Sequence, residues 1–408
     1  MFTLDVFVGP SHLIGKVTPP PSKSVAHRAL ILTALAEGLP GMAQVKGFDV
    51  AISNDLQATV DCLGVLLGTG DVVELQCGES GSTLRFLIPV AAALGKTTVF
   101  RGEGRLAERP LREYAEILVQ GGVQLRFSGR LNLPVTVSGQ LRSGEFHVPG
   151  HISSQYITGL LLALPLLAGD SSILLTTPLE SAPYVQLTED ILAQFGVNVK
   201  TLRDAAGNHL GWSVPGNQRY RVPAGGIMVE PDFSQAAFWL VAAFLGHSIE
   251  VEGLDPESRQ GDRAILSVLR QLDQVSSEVQ LTIDAKHIPD LVPILAVAAC
   301  QRAGRTVVQN AGRLRYKESD RLSTTTQVLK GIGAKIMETE DSLIIEGGQK
   351  LSGGQANSFN DHRIAMSLAI AALNSERGVR IHGAEAVNKS YPQFFQELKR
   401  LGGDVRGI

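Results

Sequence analysis

Cysteine is scarce: Cys62, Cys77 and Cys300 are the only three in 408 residues. An odd, widely spaced set cannot make a disulfide framework and lacks the spacing of a zinc site. It predicts a reducing, cytoplasmic setting and no metal or other cofactor. An excess of one charge is also lacking. The formal net charge is -3, with no long run of like charge, which predicts no nucleic-acid partner. Local basic clusters must then serve small acidic ligands. Long apolar runs are absent too. The longest, around 157–168, is too short to span a bilayer and contains Pro165, so no membrane partner is expected. The start, Met1-Phe2-Thr3-Leu4-Asp5, has neither a basic nor an apolar leader segment, which predicts no secretory signal.

What the chain does have is a repeat. Pro20-Pro21-Ser22-Lys23-Ser24 leads into an apolar run that ends at Gly38. Prolines stop what precedes, a serine can cap, and glycine closes. A helix apolar on all sides must be buried. The pattern recurs after Ser80-Gly81-Ser82, Ser153-Ser154-Gln155, Asp232-Phe233-Ser234, His287-Ile288-Pro289-Asp290 and Asn360-Asp361-His362-Arg363. These starts lie roughly 70 residues apart, the mark of a repeat architecture. Between them run amphipathic helices that close on glycine, expected over 111–122, 187–196, 324–333 and 394–403, with weaker copies at 56–64 and 264–272. Short β-branched strands separate the helices.

This pattern predicts an α/β (α+β) fold of two similar globular domains, each of three repeated units, with buried helices surrounded by sheets and outer helices. Residues 19–227 are expected to form one domain and residues 1–18 plus 228–408 the other. The strands before Pro19 are expected to pair with the C-terminal half.

The polar helix starts should collect at one end of each domain. There the backbone N–H groups and the positive dipole end favour anions. Lys23, Ser24 and Arg28 stand at the first start, Arg85 at the second, and His362 and Arg363 at the last. The loop Arg101–Pro110 adds three arginines beside glycines, and Arg313–Leu322 adds more cations. So many cations predict a substrate with several negative charges. Asp290 heads an apolar run, where a carboxylate needs a role or a partner. Arg315 and Asp320 read as a solvated helix start. Arg85 reads equally as an ion pair or an anion ligand, and His287 and His362 as caps.

The segments Pro21-Ser22-Lys23-Ser24 with Arg28-Ala29-Leu30, Gly78-Glu79-Ser80-Gly81-Ser82-Thr83-Leu84-Arg85-Phe86, Glu108-Arg109-Pro110, Ser153-Ser154-Gln155, Lys317-Glu318-Ser319-Asp320-Arg321-Leu322, Asn360-Asp361-His362-Arg363 and Lys389-Ser390-Tyr391-Pro392 follow one another as in the 5-enolpyruvylshikimate-3-phosphate (EPSP) synthases. The resemblance runs nearly end to end, and the six-unit repeat matches that family's inside-out α/β barrels. It implies transfer of the enolpyruvyl group of phosphoenolpyruvate to shikimate 3-phosphate through a tetrahedral intermediate. Carried over by motif, Lys23, Ser24, Arg28, Ser153, Ser154, Gln155, Ser181, Tyr184, Asp290 and Lys317 would hold shikimate 3-phosphate. Lys23, Gly81, Arg109, Gln155, Arg321, Arg363 and Lys389 would hold phosphoenolpyruvate. Asp290, Glu318, Lys23 and Lys389 would be catalytic, with Asp290 as base and Glu318 as proton donor. The resemblance also implies inhibition by glyphosate, and the protein is expected to be a monomer. The chain departs from the pattern at Glu79, Ser82 and Arg313. The sister transferase acting on UDP-N-acetylglucosamine carries a cysteine in the loop that is Arg101–Pro110 here, and this loop has none.

Overall fold

The computed structural model describes residues 4–48 and 52–408. Met1, Phe2 and Thr3, on which the leader reading partly rests, lie outside the described residues. The chain divides into two compact units: Lys23–Val229, and Met1–Ser22 together with Glu230–Ile408. Twelve α-helices are described. They are α1 (Lys23–Glu37), α2 (Asn54–Leu66), α3 (Gly81–Ala93), α4 (Arg112–Val119), α5 (Ser154–Ala163), α6 (Ala182–Gln194), α7 (Phe233–Phe244), α8 (Ile265–Gln274), α9 (Val292–Gln301), α10 (Arg321–Gly331), α11 (His362–Leu373) and α12 (Phe394–Arg400).

The odd-numbered helices are the buried ones. In α1 every residue from Val25 to Ala34 is buried, and in α11 every residue is. The even-numbered helices bury one stripe. In α8 that stripe is Ile265, Val268 and Leu272, spaced as an outer helix requires. Polar caps start the buried helices as the sequence predicts. Ser80 Oγ accepts from Thr83 N, Ser153 from Gln155 N, Asp232 from Ser234 N and Asp361 from Arg363 N. The fifth start differs: Pro289–Leu291 is a 3₁₀ turn, and the α-helix begins at Val292. Asp290 is therefore in the turn and does not cap the helix.

Four sheets share one topology. Strand Val72–Gln76 pairs parallel with Thr97–Arg101, which pairs antiparallel with Val135–Ser138, which pairs antiparallel with Gln124–Phe127. The sheets built on Glu145–Pro149 and on Leu281–Asp284 repeat this order. In the last, Gly354–Asn357 and Val379–His382 are followed by Asp5–Gly9 and then Asp404–Arg406. The first strand of the chain thus completes the sheet of the final repeat. Two parallel pairs finish the set: Val45–Lys46 with Ile227–Met228, and Ile14–Val17 with Ser248–Val251.

Each unit has its own apolar core around its three buried helices. Helix α5 lies close against α3 because Gly159 faces Arg85 O and the Tyr114 hydroxyl. A side chain there would push the helices apart. That approach holds the polar starts of α3 and α5 side by side.

Candidate active site

In the unit Lys23–Val229, the polar residues gather at the starts of α1, α3, α5 and α6. Lys23 Nζ lies 2.5 Å from Asp55 Oδ2 on α2. Arg28 is buried and fastens three helices. Its Nε donates to Thr188 Oγ1 (2.8 Å), its Nη1 to Ser24 O (2.5 Å), and its Nη2 to Tyr184 O (2.9 Å) and Thr158 Oγ1 (3.3 Å). Burial, with no carboxylate beside it, pulls its pKa down to about 9. His27 is neutral, because burial and then the charges of Lys23 and Arg28 hold its pKa well below the usual histidine value. Its Nδ1 is 2.8 Å from Thr59 Oγ1, which contacts Thr83 Oγ1 at 2.6 Å. This buried chain ties α1, α2 and α3 together.

Arg85 is not an ion pair. Its Nη1 donates to Gln155 Oε1 (2.7 Å) and its Nη2 to Pro110 O (2.7 Å), both neutral acceptors. Burial, and then the charge of Arg109, lower its pKa to about 10. Two buried arginines therefore lie side by side, an arrangement that favours an anion beside them. Gln155 is held from both ends, since its Nε2 also donates to Ser82 Oγ at 3.0 Å. Arg109 lies over Gly81: a Cβ on Gly81 would sit 2.7 Å from Arg109 Nη1. Ser153 caps α5, and Ser154 is its first residue. Ser181 precedes α6 in a left-handed conformation (φ 53°, ψ 36°) that a non-glycine residue adopts at a cost.

The other unit holds a denser cluster. Arg321 is 1% exposed and meets three carboxylates. Its Nε donates to Asp361 Oδ2 (2.8 Å), its Nη1 to Asp290 Oδ1 (2.9 Å) and its Nη2 to Glu318 Oε2 (2.6 Å). Those partners outweigh burial and raise its pKa further. Asp290 also accepts from Arg363 Nη2 at 3.0 Å and lies 3.4 Å from Lys317 Nζ. Burial alone would raise its pKa, but Arg363, Lys317 and Arg321 hold it well below the usual carboxylate range. Arg363 Nη1 donates to Asp290 O at 3.0 Å. Lys389 donates to Asn360 O. Phe359 and Asn360, just before the α11 cap, both have φ near 55° (53° and 55°). Arg315 pairs with Asp320 and Glu338, and Asp320 caps α10, as a solvated helix start should.

The sequence reading passed over four residues here. Asp55 pairs with Lys23, and Asp361 holds Arg321. Ser319 donates to Asp361 Oδ2 at 3.0 Å. Asp262 is buried and accepts from Ser234 Oγ. Burial and then the charge of Asp290 push its pKa up to about 7. Asp361 could have been found by the rule that selected Asp290, a carboxylate heading an apolar run. Asp55 and Asp262 carry no such signal. Among the described residues, no cluster of histidine, cysteine, aspartate and glutamate could hold a metal, and no helix is long and apolar enough to cross a membrane.

The structure resembles an EPSP synthase of Acinetobacter baumannii with a TM-score of 0.76 at 28% identity, over 99% of this chain and 100% of that one. It shares the fold of the enolpyruvyl transferase NikO of Streptomyces tendae, with a TM-score of 0.71 at 14% identity over 99% and 98% of the two chains. The fold is that of the enolpyruvyl transferases. The profile of the family described as EPSP synthase (3-phosphoshikimate 1-carboxyvinyltransferase) matches residues 8–70 and 53–398. The 3-phosphoshikimate 1-carboxyvinyltransferases of Clostridium kluyveri and Clostridium acetobutylicum are 43% and 41% identical, each over 98% of both chains. Within the enolpyruvyl transferase class, this chain belongs to the EPSP synthase family.

Proposed function

We propose that the chain transfers the enolpyruvyl group of phosphoenolpyruvate to the 5-hydroxyl of shikimate 3-phosphate and releases phosphate. The observation that carries this reading is the convergence of Asp290 and Glu318 on the single guanidinium of Arg321. Two carboxyl groups held close in different surroundings can divide base and acid work. Asp290 takes the hydroxyl proton as the oxygen attacks C2 of phosphoenolpyruvate. Glu318 supplies a proton to C3, with Lys23 or Lys389 as relay. Loss of a C3 proton and of phosphate from the tetrahedral intermediate then gives the product.

Both substrates carry a phosphate and a carboxylate, and both units offer cations for them. Lys23, Ser24, Arg28, Ser153, Ser154, Gln155, Ser181, Tyr184, Asp290 and Lys317 bind shikimate 3-phosphate. Lys23, Gly81, Arg109 and Gln155, with Arg321, Arg363 and Lys389, bind phosphoenolpyruvate. Arg85 steadies Gln155 and adds charge beside Arg109. Arg28 spends four hydrogen bonds on α1, α5 and α6, so its share in binding is the one Nη1 hydrogen left.

Three cations make Asp290 a weak base in this arrangement. Substrate anions compete for Lys317, Arg321 and Arg363, and each cation drawn toward substrate returns basicity to Asp290. Binding thereby switches on the base. Glyphosate competes with phosphoenolpyruvate, and the enzyme works as a cytoplasmic monomer without metal or cofactor. Phosphate release is the test. It should require phosphoenolpyruvate and shikimate 3-phosphate together. Release with UDP-N-acetylglucosamine in place of shikimate 3-phosphate, or with neither acceptor, would overturn the assignment.

A further inference from the structure

We propose that Asp361 is a positioning residue for this reaction: it anchors the Arg321 guanidinium, and through that group sets where Asp290 and Glu318 stand relative to each other. The inference rests on the function proposed above. Asp361 is fully buried at the cap of α11. Its Oδ1 accepts from the backbone N of Arg363 (2.9 Å) and from Arg321 Nη2 (3.3 Å). Its Oδ2 accepts from Arg321 Nε (2.8 Å) and Ser319 Oγ (3.0 Å). A helix cap needs one oxygen. Here the second oxygen, and the charge, are given to an arginine.

A guanidinium is planar. Holding Nε and one edge of Nη2 on a carboxylate fixes the direction of every remaining N–H. Those remaining groups reach Asp290 Oδ1 and Glu318 Oε2 at 2.9 and 2.6 Å. The base and the proton donor are therefore placed by one rigid fork whose stem is Asp361. None of the roles proposed above brings Asp361 to a substrate. Charged and titratable groups face this cluster from every side. Arg321 comes from α10, and His362, with Nδ1 3.9 Å from Asp361 Oδ1, and Arg363 come from α11. Lys317 and Glu318 come from the preceding loop, Asp290 from its 3₁₀ turn, and Asp262, whose field meets Asp290 and Arg363, from the turn Gly261–Ala264.

The test is Asp361→Asn, which keeps the volume and an oxygen that can cap α11 but removes the charge and sets an amide N–H against a donor. Steady-state rates with both substrates across pH, and a thermal melt, are compared with the unsubstituted enzyme. A displaced fork should lower kcat by about 10²-fold, as small misplacements of reacting groups do, while KM for either substrate changes by less than about 10-fold. The acidic limb of the kcat profile should move to lower pH, because Arg321's charge then falls wholly on Asp290 and Glu318. Ser319→Ala, which leaves charge and cap in place, should lower kcat by about 3–10-fold with the fold intact, and it carries the test if Asp361→Asn does not fold. A folded Asp361→Asn with kcat within about twofold and an unmoved limb would reduce Asp361 to a cap; an unchanged kcat in Ser319→Ala would do the same. An unsubstituted enzyme that fails to release phosphate would instead count against the function proposed above.

Discussion

Gly81→Ala separates binding from folding at one position. The new Cβ would lie 2.7, 2.8 and 2.9 Å from Nη1, Cζ and Nη2 of Arg109. Ordinary contact needs roughly 1 Å more, so the guanidinium must retreat by about that much. Arg109 is 7% exposed, but what must move is the end of a long side chain and not backbone. Alanine in a helix also gains up to about 1 kcal/mol over glycine. The net effect on stability should stay within about 1 kcal/mol, or about 4 °C in Tm for a unit of this size. The effect on phosphoenolpyruvate is larger. A hydrogen bond to a charged group contributes about 1.5–3 kcal/mol, so losing one should raise KM about 10- to 100-fold. Glyphosate, a longer chain competing for the same space, should lose more affinity than phosphoenolpyruvate does. Phosphate-release kinetics with a thermal melt read all three quantities. An unchanged KM, or equal loss of glyphosate and substrate, would show that Arg109 and Gly81 do not form the phosphoenolpyruvate pocket.

Asp290→Asn and Glu318→Gln should each lower kcat by about 10²–10⁴-fold, the range for lost acid–base catalysis, while binding of shikimate 3-phosphate, followed by calorimetry, weakens far less. Asp290→Asn should also lower Tm at neutral pH, since it leaves three cations without their shared carboxylate; that loss should shrink as pH falls below about 4, toward the depressed folded pKa, where the native carboxyl is itself protonated. Asp262, with a folded pKa near 7, binds its proton more tightly folded than unfolded. Its presence should therefore cost stability as pH rises from about 4 to 7, and Asp262→Asn should raise Tm at pH 8 while leaving Tm at pH 4 nearly unchanged in differential scanning calorimetry. Arg28→Lys should lower Tm by about 4–12 °C, because lysine cannot reach Thr188, Thr158, Tyr184 O and Ser24 O together; an unchanged melt would show that those bonds do not hold the helices.

Much of this was legible because the buried helices are written in local pattern. A cap residue, an apolar body and a closing glycine sit within about 15 consecutive residues, and α1, α3, α5, α7 and α11 begin where that pattern says. The start of α9 departs from the pattern because Pro289 and Pro293 favour a short turn before the helix. The pairings were not legible. Lys23 meets Asp55 across 32 positions, and Arg321 meets Asp361 across 40. Such contacts are set by how helices pack, and no local spacing encodes them. The same holds for Arg85, whose neutral partners Gln155 and Pro110 O come from two other segments.

In the mechanism proposed above, a proton is added to the methylene carbon of phosphoenolpyruvate and one is later removed, with Asp290 and Glu318 serving the transfers. Running the reaction in D₂O and examining the vinyl group of the product by proton NMR and mass spectrometry tests this directly. A methyl-stage intermediate predicts deuterium in the product's vinyl CH₂, with formation of that product slowed about 10²–10⁴-fold in Glu318→Gln. A product whose vinyl protons all come from the original phosphoenolpyruvate would contradict that mechanism.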